Sequence, residues 1–170
     1  MDTLQRILTE ETRKYVATLQ VGDDDYLRIE DELMKRIRVR ITQTNQILQK
    51  GDSRLTMPKY LTFSQIAEIL NKVMIIRVLI DGDNADTEIL GIYDGEIYVT
   101  DQRIINNAAI ALNNTITKRD FEELINRLML ICDRVPINKD RDLIAVGNGI
   151  FDYKRKVLLP FSEDMVFLSK

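Results

Sequence analysis

Residues 143–170 read LIAVGNGIFDYKRKVLLPFSEDMVFLSK. An apolar run, Leu143 to Val146, meets Gly147-Asn148-Gly149, and a second run, Ile150 and Phe151, follows. Asp152-Tyr153 leads into the basic tripeptide Lys154-Arg155-Lys156, then Val157-Leu158-Leu159-Pro160. Short apolar runs split by Asn-Gly and by a charged tripeptide predict a β-hairpin, because Asn-Gly accepts the positive φ of a tight turn. Pro160 cannot donate to a ladder and marks a strand end.

Working back towards the amino terminus, the same logic gives more strands. Val73 to Ile80 is β-branched and apolar, Asp81 to Asp86 (DGDNAD) is a loop, and Thr87 to Tyr93 is a second strand. Asp94-Gly95 then turns into Glu96–Val99, completing a meander. Thr62 and Gln65 form a capping box at the start of a helix carrying Phe63, Ile66, Ile69 and Leu70. Asp101 caps a helix running to about Asn113, and Thr117 with Asp120 starts another carrying Phe121, Leu124, Ile125, Leu128 and Ile131. Arg134 to Asp142, around Pro136, reads as a loop. The order is antiparallel β-meander, two helices and a C-terminal β-hairpin, which predicts an α+β fold.

The amino-terminal part is different. Leu4, Ile7, Leu8, Tyr15, Val16 and Leu19 make one helical stripe, and Ile29, Leu33, Ile37, Ile41 and Leu48 make a second, from Tyr26 to Lys50. Gly22 and the run Asp23-Asp24-Asp25 separate them. The expected organisation is a helical hairpin appendage over 1–50, a polar Pro-containing linker from Gly51 to Tyr60, and an α+β domain over 60–170 that folds alone. A hairpin with such narrow apolar faces either docks on the main domain or self-associates through residues 2–50.

The 170 residues carry 24 Lys and Arg against 27 Asp and Glu, a net charge of −3, so no global basic field attracts nucleic acid. There is no histidine, which removes imidazole acid–base chemistry and the usual zinc sites. The single Cys132 excludes an intrachain disulfide and reads as a buried thiol. The first residues resemble neither a signal nor a transit peptide, and no apolar run spans a membrane, so the expected location is cytoplasmic.

Asn148, Gly149, Ile150, Phe151 and Asp152, then a basic turn, Pro160 and an acidic stretch, form an ordered series. It resembles the domain immediately before the superfamily 3 helicase in phage, plasmid and poxvirus-type primase–helicases. The likeness extends back to about Leu61 and leaves out the first fifty or so residues. It implies a place in DNA replication beside an ATP-dependent hexameric helicase that lies outside this chain.

The chain's own candidates for chemistry are few. Asp81 and Asp83, at the end of a strand, resemble the Asp-x-Asp that holds two metal ions in archaeo-eukaryotic primases, but those centres also use a histidine, and a solvated loop is preferred. As a calcium loop the segment fails at Ala85 and Asp86. No glycine precedes a lysine, so there is no P-loop, and Gly147-x-Gly149 lacks the third glycine of a dinucleotide fingerprint. The chain is therefore expected to be non-catalytic and to need no cofactor.

Candidates for binding are more numerous. Lys154, Arg155 and Lys156 at the hairpin tip, joined by Arg134, Lys139 and Arg141, read either as solvated charges or as contacts to single-stranded DNA. Tyr93, Tyr98 and Tyr153 offer either stacking faces or ordinary cross-strand packing. Lys35-Arg36-Ile37-Arg38-Val39-Arg40 is the densest basic run; residues 1–50 hold as many acidic as basic side chains, and a solvated helix face is preferred to a phosphate strip. The reading that results is a non-catalytic module assisting DNA engagement or helicase assembly. Its alternative is a protein-binding adaptor.

Overall fold

The computed structural model describes residues 2–48, 53–81 and 88–170. Their order is α1 (Thr3–Val16), α2 (Tyr26–Ile47), α3 (Phe63–Val73), β1 (Ile76–Ile80), β2 (Glu88–Tyr93), β3 (Tyr98–Val99), α4 (Arg103–Leu112), α5 (Lys118–Ile131), β4 (Arg134–Pro136), β5 (Leu143–Val146), β6 (Gly149–Asp152) and β7 (Val157–Leu159). The fold is mixed α+β, helical at the amino terminus and rich in antiparallel strands thereafter. No described helix is long and apolar enough to cross a membrane.

The chain forms two compact units: residues 1–73 with 104–127, and residues 74–103 with 128–170. That division does not follow the expected boundary at 51–60. In the first unit α1 packs on both α2 and α3. Ile29, Leu33 and Ile37 are wholly buried, and so are Ile66, Ile69 and Leu70 of α3. The Gln65 amide donates to the Thr12 hydroxyl at 2.9 Å inside this packing, and the Gly22 amide donates to the Val73 carbonyl at 2.7 Å. A helix with apolar residues four apart must bury that stripe against something; here α1 supplies surface to both α2 and α3.

Several local signals are met at their predicted positions. Thr62 and Gln65 exchange capping-box bonds, with the Thr62 amide donating to Gln65 Oε1 at 3.0 Å and the Gln65 amide donating to Thr62 Oγ1 at 3.4 Å. Thr117 and Asp120 do the same before α5. Asp25 caps α2 by accepting from the Arg28 amide. The expected ends of α2 at Lys50 and of its linker at Gly51 lie outside the described residues. So does most of the Asp81–Asp86 loop.

In the second unit β3, β2, β1 and β4 form one sheet in that order. The β1–β2 and β2–β3 pairs are antiparallel, as a meander requires. Val73, expected to open the first strand, instead closes α3. Arg134–Pro136, expected as loop, is strand β4, and it runs parallel to β1 with Val78 opposite Arg134 and Ile80 opposite Pro136. Val135 and Ile137 pack against the cluster of Leu79, Tyr98 and Val166, which is the gain that makes this segment extended. Pro136 is tolerated because β4 is an edge. The C-terminal segment closes over the same cluster: the Tyr98 amide donates to the Phe167 carbonyl, and the Asn138 amide to that of Val166.

Strands β5, β6 and β7 make a separate antiparallel sheet. Ile150 and Ala145 bury one of its faces. Strand β7 ends at Leu159, immediately before Pro160.

Candidate nucleic-acid interface

The β5–β6 connection is tighter than the sequence suggests. Val146 pairs with Gly149, so the loop is Gly147-Asn148 and Gly149 is already strand. The positive φ falls on Gly149, at 155°, and not on Asn148. A Cβ on Gly149 would collide with the backbone oxygen of Leu159, so this glycine also lets β6 and β7 close together.

Asp152, at the end of β6, is buried and organises the next turn. Its carboxylate accepts from the Arg155 amide at 2.9 Å, and its carbonyl accepts from the Lys156 amide at 2.8 Å. Lys156 takes the left-handed conformation, φ 59°. The motif series Asn148 to Asp152 with Pro160 thus has an architectural meaning: loop, close approach, core residue, turn organiser and strand stop.

The β6–β7 turn and the segment before β5 gather cations. Strand β5 begins opposite Asp152, so the 140–142 segment lies beside the β6–β7 loop. The Tyr153 amide donates to the Asp142 carbonyl at 2.8 Å, and Lys154 forms an ion pair with the Asp142 carboxylate at 2.5 Å. Hydrogen bonding to Asp142, then its charge, raises the Lys154 pKa and keeps the ammonium protonated. Arg155 leans back on Asp152 at 3.6 Å. Arg141 and Lys156 have no carboxylate partner among the described residues. Arg141, Lys154, Arg155 and Lys156 are therefore brought to one end of the sheet.

Lys139, two residues earlier, pairs with Asp81 at 2.7 Å. Arg134 sits at the start of β4 and holds Glu88 through two hydrogen bonds of 2.9 and 3.3 Å. Asp81 is thus held by a lysine, and Asp83 lies outside the described residues.

The tyrosines divide. Tyr93 and Tyr98 are cross-strand partners with ring centroids 5.4 Å apart. Tyr98 is buried, donates to the Glu163 carbonyl at 2.8 Å, and has its pKa pushed up to about 12, chiefly by burial. A ring as enclosed as that of Tyr98 offers no face for stacking. Tyr153 is half exposed and meets Phe151 edge to face at 5.1 Å, with the Lys156 ammonium 4.8 Å from its ring centre.

One feature of the surface escaped the sequence reading. Ile144, Phe151 and Leu158 are direct cross-strand neighbours, so they line one face of the small sheet. Ile144 and Leu158 are exposed by 43% and 47%. The signal was present as alternation: Ile144 and Ala145 point to opposite faces, as do Phe151 and Ile150. It was hidden because both faces are apolar. An apolar, aromatic-bearing face beside a cationic turn can accept stacked bases with their phosphates at the turn.

No protein-family model matches the chain, and no curated protein matches it.

Proposed function

We propose that this chain is a non-catalytic module of a phage- or plasmid-type DNA replication protein, of the kind that precedes a superfamily 3 helicase. Its work is to engage single-stranded DNA for that motor or to assist its assembly. The observation that carries the reading is the outer face of the C-terminal sheet, where Phe151 and exposed Tyr153 adjoin Lys156. The series Asn148, Gly149, Ile150, Phe151, Asp152 and Pro160 supplies the family resemblance, and the lack of any histidine or P-loop supports a non-catalytic role.

Phosphate has to compete with the carboxylates that hold Lys154 and Arg155. Both side chains are largely exposed, and exposed ion pairs contribute little, so exchange for a phosphate is feasible. With few contacts and an overall charge of −3, affinity for a single strand is expected at tens of micromolar or weaker, roughly. The test is fluorescence anisotropy with oligothymidine across a salt series. Replacing Lys154, Arg155 and Lys156 together by Ala should weaken binding and flatten its salt dependence. Unchanged affinity in that variant would acquit the turn.

The second reading, a protein-binding adaptor with no nucleic-acid role, is favoured by the exposed apolar face of Ile144 and Leu158, which a partner protein would cover. Absence of DNA binding even at low salt would select it.

A further inference from the structure

Within the first unit, a groove of about 430 Å³ runs between α1 and α2, and its lining is cationic. Lys14 comes from α1, and Lys35, Arg36 and Arg40 from α2, with Glu11 the one carboxylate and Val39 the one apolar side chain among the lining residues. The helical repeat explains the convergence. Ile29, Leu33, Ile37 and Ile41 are buried four residues apart, which turns Arg36 and Arg40, also four apart, along the flank of that stripe.

We infer that this groove binds the phosphate backbone of a nucleic-acid strand. Lys14 is held by Glu11 at 3.2 Å and Lys35 by Asp31 at 2.5 Å. Arg36 and Arg40 have no carboxylate partner among the described residues. Arg36 instead lies over the ring of Tyr15, 5.1 Å from its centre, and Tyr15 is itself buried and donates to Glu32 at 2.8 Å. A guanidinium resting on a fixed ring keeps its N–H edge directed outward, and that edge matches phosphate oxygens two at a time. Two unneutralised guanidiniums one helical turn apart repel each other, and an anion between them removes that cost.

The shape of the lining selects the kind of anion. From Lys35 to Gln43 the strip runs about 12 Å along α2, room for roughly three phosphates at about 3.4 Å per nucleotide. A docked peptide helix would need several apolar anchors, and Val39 alone does not supply them. This site is built from α1 and α2 only and does not depend on the C-terminal sheet.

The test uses the full chain and a labelled oligothymidine, with anisotropy read across a salt series. Arg36→Gln with Arg40→Gln should weaken binding roughly tenfold and reduce the slope of log affinity against log salt by about 1.4, the value for two lost single-strand phosphate contacts. Because Arg36 touches Tyr15, a second variant, Lys14→Gln with Lys35→Gln, leaves that contact intact and should shift both quantities in the same direction. Circular dichroism melts confirm that each variant is folded. Parent-like affinity and slope in both folded variants would overturn the inference, even if the Lys154, Arg155 and Lys156 triple variant loses binding and so upholds the other site. Inorganic triphosphate competing as well as the strand, phosphate for phosphate, would overturn the assignment to a backbone, and equal competition by polyglutamate would reassign the groove to acidic protein. No binding by the parent at low salt would remove both sites.

Discussion

Gly149 meets two demands at once, a φ of 155° and a Leu159 oxygen where its Cβ would stand. Gly149→Val is therefore expected to destabilise the protein by about 2–4 kcal/mol, combining backbone strain with overpacking against a main-chain atom. A chemical denaturation midpoint equal to the parent's would show that β6 and β7 are not this close. Lys156 also takes a left-handed conformation, and its side chain rests on the half-exposed Tyr153 ring without entering the core. Lys156→Gly should be neutral or stabilising, and Lys156→Val should cost about 1–2 kcal/mol. Cys132 is buried, and burial pushes its thiol up from about 9 to about 11. Burial favours the neutral form, so the folded state holds this proton more tightly than the unfolded state does. The contribution is fully present below pH 9 and is lost as pH rises towards 11. Tyr15, pushed up to about 12 mainly by burial and next by its bond to Glu32, acts in the same direction between about 10 and 12. Melting temperature should accordingly fall above pH 9, and a thiol reagent at neutral pH should label Cys132 only on unfolding.

At the scale of elements, the sequence was most legible where a side chain speaks to its own backbone. Thr62 with Gln65 and Thr117 with Asp120 name helix starts, because a capping box is local chemistry. Strand β4 was illegible for the opposite reason. Its three residues include Pro136 and carry no repeat; only the distant Leu79 and Val166 make Val135 worth burying. The amino-terminal hairpin shows the same limit, since nothing in its narrow stripe says that α3 is its partner. The Thr12–Gln65 bond now tests that packing. Thr12→Val would strand the buried Gln65 amide group and cost about 1–3 kcal/mol. Deleting residues 1–50 should uncover Ile66, Ile69 and Leu70 and leave an aggregated or molten product; a cooperative melt from residues 60–170 would show that the hairpin is dispensable.

For the whole molecule, the candidate site was half legible. The tripeptide Lys154-Arg155-Lys156 announced itself by charge, and Arg141 joins it because β5 starts opposite Asp152. The pairing of Arg134 with Glu88, 46 positions away in the chain, could not be read from neighbours in sequence. Nor could the face shared by Ile144, Phe151 and Leu158, which needs the strand register. The proposed function puts bases on this face and phosphates at the turn beside it. Photocross-linking an oligonucleotide carrying 5-iodouracil, followed by mass spectrometry of the digested protein, tests it most directly. Adducts on Tyr153 and Phe151 that diminish with rising salt are the expected result. Robust cross-linking that leaves both residues unmodified would contradict it.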